Sequence, residues 1–327
     1  MSNSPFLSNC AEDSIRKAAA ALKAGHLVAF PTETVYGLGA DARNLDAVKR
    51  IYEVKGRPSD HPLIVHISSI NQLEKWASEI PDYAISLARA FWPGPLTLIL
   101  KRTDLAGNFI TGGQDTVALR VPRDPIALAL IQEFENISDS AIAAPSANRF
   151  GHVSPTSSSD VLDELGGFLS NHDVILEGGN SVIGIESTII DATKSNPRIL
   201  RPGSVTQEMM NSQLDLPCVN LEVNTSLKYS GSFRNHYAPR ASVFLDVNPC
   251  SGQGLVAPKD FATPEGVTRL ASPENSDEYA ECLYRAMRKA DKLGLKEIVF
   301  IQPSSEGIGT AIQERLRKSA AGRLHKI

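Results

Sequence analysis

The feature that most constrains this chain is the shortness of its apolar runs and their separation by turns rich in glycine and proline. Runs at 27–30 (LVAF), 62–67 (PLIVHI), 96–100 (LTLIL), 116–121 (TVALRV), 141–144 (AIAA), 173–177 (DVILE), 187–191 (STIID) and 198–200 (RIL) have strand length and strand composition. Helical spacing lies between several of them. Residues 12–24 put Ile15, Ala18, Ala19 and Leu22 on one face and stop at Gly25. Residues 45–54 repeat the pattern through Leu45, Val48, Ile51 and Tyr52, with Asn44 as cap and Gly56 at the end. Further helical patterns fall at 82–92 and 125–134. Strands interleaved with helices predict an α/β domain. Several connections have hairpin length, so the sheet should be mixed, and its loops should line an open concavity.

The pattern changes after Thr206. Residues 211–235 are polar and weakly periodic and read as a linker. A strand at 241–247, a helix at 277–293, a strand at 297–301 and a helix at 308–320 then give a smaller β–α–β–α unit. A length of 327 residues accommodates two domains. The expected division is 1–210, a linker at 211–239, and 240–327.

Composition excludes some functions. A net charge of −4 gives no overall basic field for nucleic acid. Cys10, Cys218, Cys250 and Cys282 lack metal or redox spacing and are expected to be reduced thiols. The polar start has no signal-peptide pattern, and no run reaches the roughly 18–20 apolar residues of a membrane span, so the expected location is the cytoplasm, without membrane contact.

Four segments carry residues poorly suited to structure alone. In 30–42, Thr32, Glu33, Thr34 and Tyr36 follow a strand beside Gly37 and Gly39, which suits a small polar ligand if the glycines let backbone approach it. In 55–67, Lys55 and Arg57 flank a glycine at a helix end, where two cations can hold a polyphosphate; taken alone, the pair is better explained as a solvated basic helix end. His61 and His66 follow. In 144–156, Ser146 and Asn148 open a polar turn that could meet a base, ribose or phosphate or simply connect elements. In 178–191, Gly178, Gly179 and Gly184 predict a flexible loop before Ser187. The nucleotide devices GxxxxGK[ST] and GxGxxG are absent, as are GxSxG and HExxH.

In order, FPTETVYGLG, KGRPxxHPLIVH, WPGPLTLIL, TVALRVP, APSAN, GIESTIID and RPG resemble the YrdC/Sua5 family over roughly residues 12–210. HYAPR at 236–240 and the tail are similar to its two-domain, Sua5-type branch. The resemblance implies a YrdC-like twisted mixed α/β sheet with an open cavity, plus a smaller Rossmann-like C-terminal domain. It implies synthesis of L-threonylcarbamoyl-AMP from ATP, L-threonine and bicarbonate. The product would pass to the tRNA threonylcarbamoyl-transferase machinery for adenosine 37 of ANN-decoding tRNAs.

By the same resemblance Lys55 and Arg57 would be catalytic. Thr34, His66, Arg120, Ala144 and Ser187 would surround threonine. Arg57, His61, Thr116, Ser146, Asn148, Ser154, Arg201 and Tyr237 would hold ATP. Some members carry asparagine at the position of His61, and many carry KYRHYAP where this chain has FRNHYAP. Mg²⁺ is expected to ride on the phosphates, since no acidic cluster marks a protein-made cage. Weak contact with RNA is a further expectation. Two other readings attach to the fold, an RNA-binding module and a carbamoyl-transfer enzyme. The chain lacks the interleaved aromatic and basic residues of the first, and the CxxC pairs and extra length of the second.

Overall fold

The computed structural model describes residues 6–8, 12–214, 219–220, 226–233 and 235–322. Among them one twelve-stranded mixed sheet forms the first domain and a four-stranded parallel sheet the second. In spatial order the large sheet runs Phe6–Ser8, Val174–Leu176, Val28–Phe30, Gly37–Asp41, Ile142–Ala144, Ile64–His66, Thr116–Arg120, Leu96–Arg102, Thr188–Asp191, Arg198–Arg201 and Val219–Asn220. Ala77–Ser78 pairs with Leu96–Arg102 off this path.

The helices form where spacing and caps agree. Leu45–Lys55 begins at Asn44, whose side chain accepts from the backbone N–H groups of Asp46 and Ala47 at 3.1 Å. It ends at left-handed Gly56. Pro125–Ser138 starts with Asp124 as cap and runs one turn beyond the expected 134. Its Ala127, Leu130, Ile131 and Phe134 pack with Ala18, Ala19 and Leu22 of Glu12–Lys23 over Val28 and Phe30. A larger cluster on the other side joins Val48 and Ile51 to Leu63, Val65, Leu98 and Leu119. The sheet is therefore covered on both faces, and its polar ends are left to make a cavity.

Three expectations change. The stretch 30–42 contains the strand Gly37–Asp41, which its glycines disguised as a turn. A Cβ at Gly39 would lie 2.7 Å from Ile142 Cγ2 and 2.9 Å from Phe30 Cε1, so this glycine serves internal packing and not ligand approach. The loop before Ser187 is closely packed, not loose. A Cβ at Gly178 would fall 2.5 Å from Pro31 Cγ, and one at Gly184 would fall 2.6 Å from the carbonyl of Ala280. Finally, the second sheet has four strands, ordered Ser242–Leu245, Glu297–Phe300, Gly254–Val256 and Thr268–Ala271. Gly254–Val256 and Thr268–Ala271 are too short, between glycines and prolines, to show periodicity in the sequence. Ser276–Lys292 and Gly309–Ala320 are its helices. Residues 215–218, 221–225 and 234 of the expected linker lie outside the described residues. Among the described residues, no helix is long and apolar enough to cross a membrane.

Candidate active site

The large sheet's strand ends converge on a cavity of about 520 Å³ of empty space, mouth included. Thr34, Arg57, His66, Arg120, Ala144, Ser146, Ser187, Arg201 and Tyr237 line it. So do Glu186, Ser230 and His236.

Its floor is built from buried polar pairs. Thr32 Oγ1 donates to the carbonyl of Val35 at 2.6 Å and lies 2.8 Å from Thr34 Oγ1. With its proton committed to Val35, Thr32 must accept from Thr34. The lone pairs of Thr34 Oγ1 are then left to face the cavity, an acceptor for an ammonium or amine. Parallel pairing sets His66 opposite Arg120. Arg120 Nη2 donates to Glu33 Oε1 at 2.7 Å, with both side chains buried. Glu33 Oε2 accepts from the backbone N–H of Arg123 at 3.0 Å. The guanidinium that the sequence offered to a ligand carboxylate thus already holds one of the protein's own. His66 is buried, its Nδ1 has no partner among the described residues, and burial reinforced by Arg120 lowers its pKa to about 3. It is neutral at physiological pH. Ser187 Oγ lies 2.8 Å from Thr97 Oγ1 and accepts from Arg201 Nη2 at 3.1 Å.

The opposite end collects cations. Gly56 turns the chain out of its helix and delivers Arg57, whose Nη2 donates to the Pro62 carbonyl at 2.9 Å and Ser230 Oγ at 3.4 Å. Its Nε has no partner among the described residues, and burial lowers its pKa to about 10, so it stays charged at neutral pH. Arg201 donates through Nε and Nη2 to the Ser187 carbonyl at 3.0 and 2.9 Å, and through Nη1 to the Ser230 carbonyl at 2.9 Å. Ser230 belongs to a roof made by residues 226–233 and 235–238. Lys228 fixes its edge by donating to Asp60 Oδ2 at 2.5 Å, while its backbone exchanges two hydrogen bonds with the Gln114 amide. His61 stacks on Phe233 of the roof with ring centroids 4.2 Å apart.

Both family models and full-length relatives match the chain. The model described as "Telomere recombination" (Sua5_yciO_yrdC) covers residues 20–203, and that described as "Threonylcarbamoyl-AMP synthase, C-terminal domain" covers 205–321. The chain belongs to the Sua5–YciO–YrdC family. It is 41% identical to threonylcarbamoyl-AMP synthase of Pyrococcus abyssi over 96% of each chain. Identity to the Bacillus subtilis protein of the same name is 38%, over 95% of this chain and 94% of that one. The crystal structure of P. abyssi Sua5 complexed with L-threonine superposes with a TM-score of 0.87 at 39% identity, covering 98% of this chain and 99% of that one.

Within this Sua5-type cavity several expected residues sit elsewhere. Lys55 is buried, and Nζ donates to the carbonyls of Ser146 and Asn148, both at 2.5 Å. It stands behind the wall, and burial reinforced by Arg57 holds its pKa well below the ordinary lysine value. Asn148 turns inward: its amide nitrogen donates to the carbonyls of Arg149 and His152, and its oxygen accepts from Ser146. Ser154 is buried and donates to Glu186 Oε1 at 2.5 Å. Thr116 lines an adjoining pocket of about 280 Å³ that shares Ile64 and Ser230 with the main cavity. In the sequence Glu33 stands out only within a segment suited to a small polar ligand, and Glu186 and His236 carry no assigned role. Acids in uncharged strand-end loops were the available signal for the first two. Nothing local marked Arg315 or Tyr284, which reach Glu186 from the second domain.

Proposed function

We propose that this chain is a threonylcarbamoyl-AMP synthase that joins L-threonine, bicarbonate and ATP. The observation that carries the proposal is one cavity with a pre-bonded polar floor at one end, the buried Arg57 at the other, and the buried Arg201 reaching both through the carbonyls of Ser187 and Ser230. In this reading threonine lies on the floor among Thr34, His66, Arg120, Ala144 and Ser187. Thr34 Oγ1 accepts from its amine, and Arg120, oriented by Glu33, faces its carboxylate. ATP lies toward Arg57, Ser146, Arg201 and Tyr237, with Thr116 at the adjoining pocket and His61 against Phe233 of the roof.

The threonine nitrogen attacks the carbon of bicarbonate, or of CO₂ derived from it. Water leaves in the first case, a proton passes to solvent in the second, and a carbamate forms. A carbamate oxygen then attacks the α-phosphorus of ATP, and the bond to pyrophosphate breaks. Carbamates are labile in water, so the gain lies in keeping the intermediate beside ATP, where effective molarity reaches about 10⁵–10⁸ M. Arg57 and Arg201 supply positive charge where it grows negative, on the α-phosphate and the departing pyrophosphate. Mg²⁺ enters as part of the substrate, on the phosphates. Among the described residues no group of three or more His, Cys, Asp or Glu is placed to hold a metal, and both the cavity carboxylate Glu186 and Glu33 behind the floor are paired with an arginine. Lys55 we assign to holding the Ser146–Asn148 turn, and Ser154 and Asn148 to supporting the same wall. With the product spent on tRNA, through a threonylcarbamoyl-transferase, the cytoplasm is the compartment we expect.

A drop-out assay tests this. Protein with ATP, Mg²⁺, threonine and ¹³C-bicarbonate should release pyrophosphate and yield an adenylate carrying the label by mass spectrometry. Omitting threonine or bicarbonate should stop both. Pyrophosphate release indifferent to those omissions would sink the proposal.

A further inference from the structure

Among the described residues the second domain lines no part of the cavity but packs directly behind its wall. Val35, Val153 and Ile185, all from the first domain, lie in one apolar cluster with Tyr279, Leu283 and Met287 of the second. Each directly adjoins a polar residue of the site: Thr34, Ser154 and Glu186. The close approach of Gly184 to helix Ser276–Lys292 leaves no room for a side chain there.

At the centre of this contact is Arg315, on the last helix and fully buried. Its Nε donates to Glu186 Oε2 at 3.1 Å and its Nη2 to the Glu186 carbonyl at 3.4 Å. Nη1 donates to the Pro202 carbonyl at 2.8 Å and to Glu314 Oε2 at 2.7 Å. Glu186 is fully engaged: Oε1 accepts from Ser154, and Oε2 accepts from Tyr284 at 2.9 Å as well as from Arg315. A carboxylate so occupied is a junction and not a base. Its two charges sit on either side of a domain boundary, where packed apolar residues would hold the domains together with less desolvation. What the pair adds is direction. Glu186 precedes Ser187, and Pro202 follows Arg201. Arg201 in turn grips the Ser187 carbonyl. Two guanidiniums, one from each domain, therefore hold successive carbonyls of the cavity floor.

We propose that Arg315 is a positioning residue for the reaction in this cavity: from the second domain it fixes the Glu186–Ser187 peptide and, through Pro202, the Arg201 that grips it. This rests on the function proposed above. In physical terms the second domain supports the threonine end of the site from behind.

The test uses the full chain with Arg315→Met, Arg315→Lys, Glu186→Gln and the double variant Glu186→Gln/Arg315→Met, each checked for folding by circular dichroism. Arg315→Met should raise KM for threonine about tenfold, the scale of one lost charge-assisted hydrogen bond. KM for ATP should rise less than that for threonine, because Arg315 reaches the nucleotide end only indirectly, through Pro202 and Arg201. Arg315→Lys should recover part of the loss. The double variant should be less impaired than the single losses combined, since it leaves no buried charge unpaired. A folded Arg315→Met with wild-type KM for threonine overturns the inference, as does an equal rise for both substrates. If Arg315→Met does not fold, Arg315→Lys decides alone: an unchanged threonine KM overturns the inference and a selective rise supports it. Failure of the parent reading is separately visible, because the wild-type chain would then form no adenylate.

Discussion

The floor and the roof of the cavity are held by different kinds of contact. The floor is closed by charge and hydroxyl pairs inside the protein: Glu33 with Arg120, Thr32 with Thr34, Ser187 with Thr97 and Arg201. The roof is held by ring stacking and by linker oxygens on arginines, and it leaves Arg57 Nε, His236 Nδ1 and Tyr237 OH without partners among the described residues. A buried polar group without a partner costs free energy until something satisfies it. The floor is thus largely bonded before a ligand arrives, with His66 Nδ1 its one buried polar atom lacking a partner among the described residues, while the roof end leaves three such atoms to satisfy. The first suits a small amino acid that must be placed accurately. The second suits a polyphosphate that brings its own acceptors.

That contrast can be broken in several places. Glu33→Gln leaves Arg120 buried and unpaired, and should cost about 3–5 kcal/mol of stability in thermal or urea unfolding. A loss below about 1 kcal/mol would mean the floor is not held by this pair. Arg57→Ala should lower adenylate formation by about 10²–10³-fold with the melting temperature nearly unchanged, the scale of losing one donor to developing charge. Near-wild-type turnover would remove Arg57 from the site.

His66 sharpens the comparison through pH. Its folded pKa, about 3, lies below the ordinary 6.5, so between those values the unfolded chain binds the extra proton. Its contribution to stability is therefore full above about pH 6.5 and falls as pH drops toward 3. Roughly 2 kcal/mol should be lost between pH 6 and 4.5 from this residue alone. Denaturant unfolding of His66→Gln should show a flatter acid limb, and an unchanged limb would contradict the burial assigned to it. Ser187→Ala should raise KM for threonine about fivefold through one lost hydrogen bond and leave KM for ATP nearly unchanged. Phe233→Ala should do the reverse, and less: about a two- to threefold rise for ATP through the lost stack on His61.

The sequence showed the elements that periodicity and caps can show. Asn44 and Gly56 bracketed a helix correctly because both act through local backbone chemistry. Gly37–Asp41 was hidden because glycine removes the side chains that make a strand visible. Within the site, position along the chain brought out residues that share a segment with the cavity but not which way they face. Lys55 and Asn148 lie in such segments, yet their side chains turn toward backbone carbonyls. Arg315 was illegible for a different reason. Its partners Glu186 and Pro202 are more than a hundred residues away, and an arginine on an amphipathic helix reads as a solvated one.

Separate equilibrium binding of threonine and of a non-hydrolysable ATP analogue tests the central claim most directly. Calorimetry on the wild type, Arg57→Ala and Arg120→Lys should give a crossed pattern. Arg57→Ala should lose the nucleotide and keep threonine, and Arg120→Lys should lose threonine and keep the nucleotide. Loss of both ligands in either folded variant would contradict a cavity whose two ends are built for two substrates.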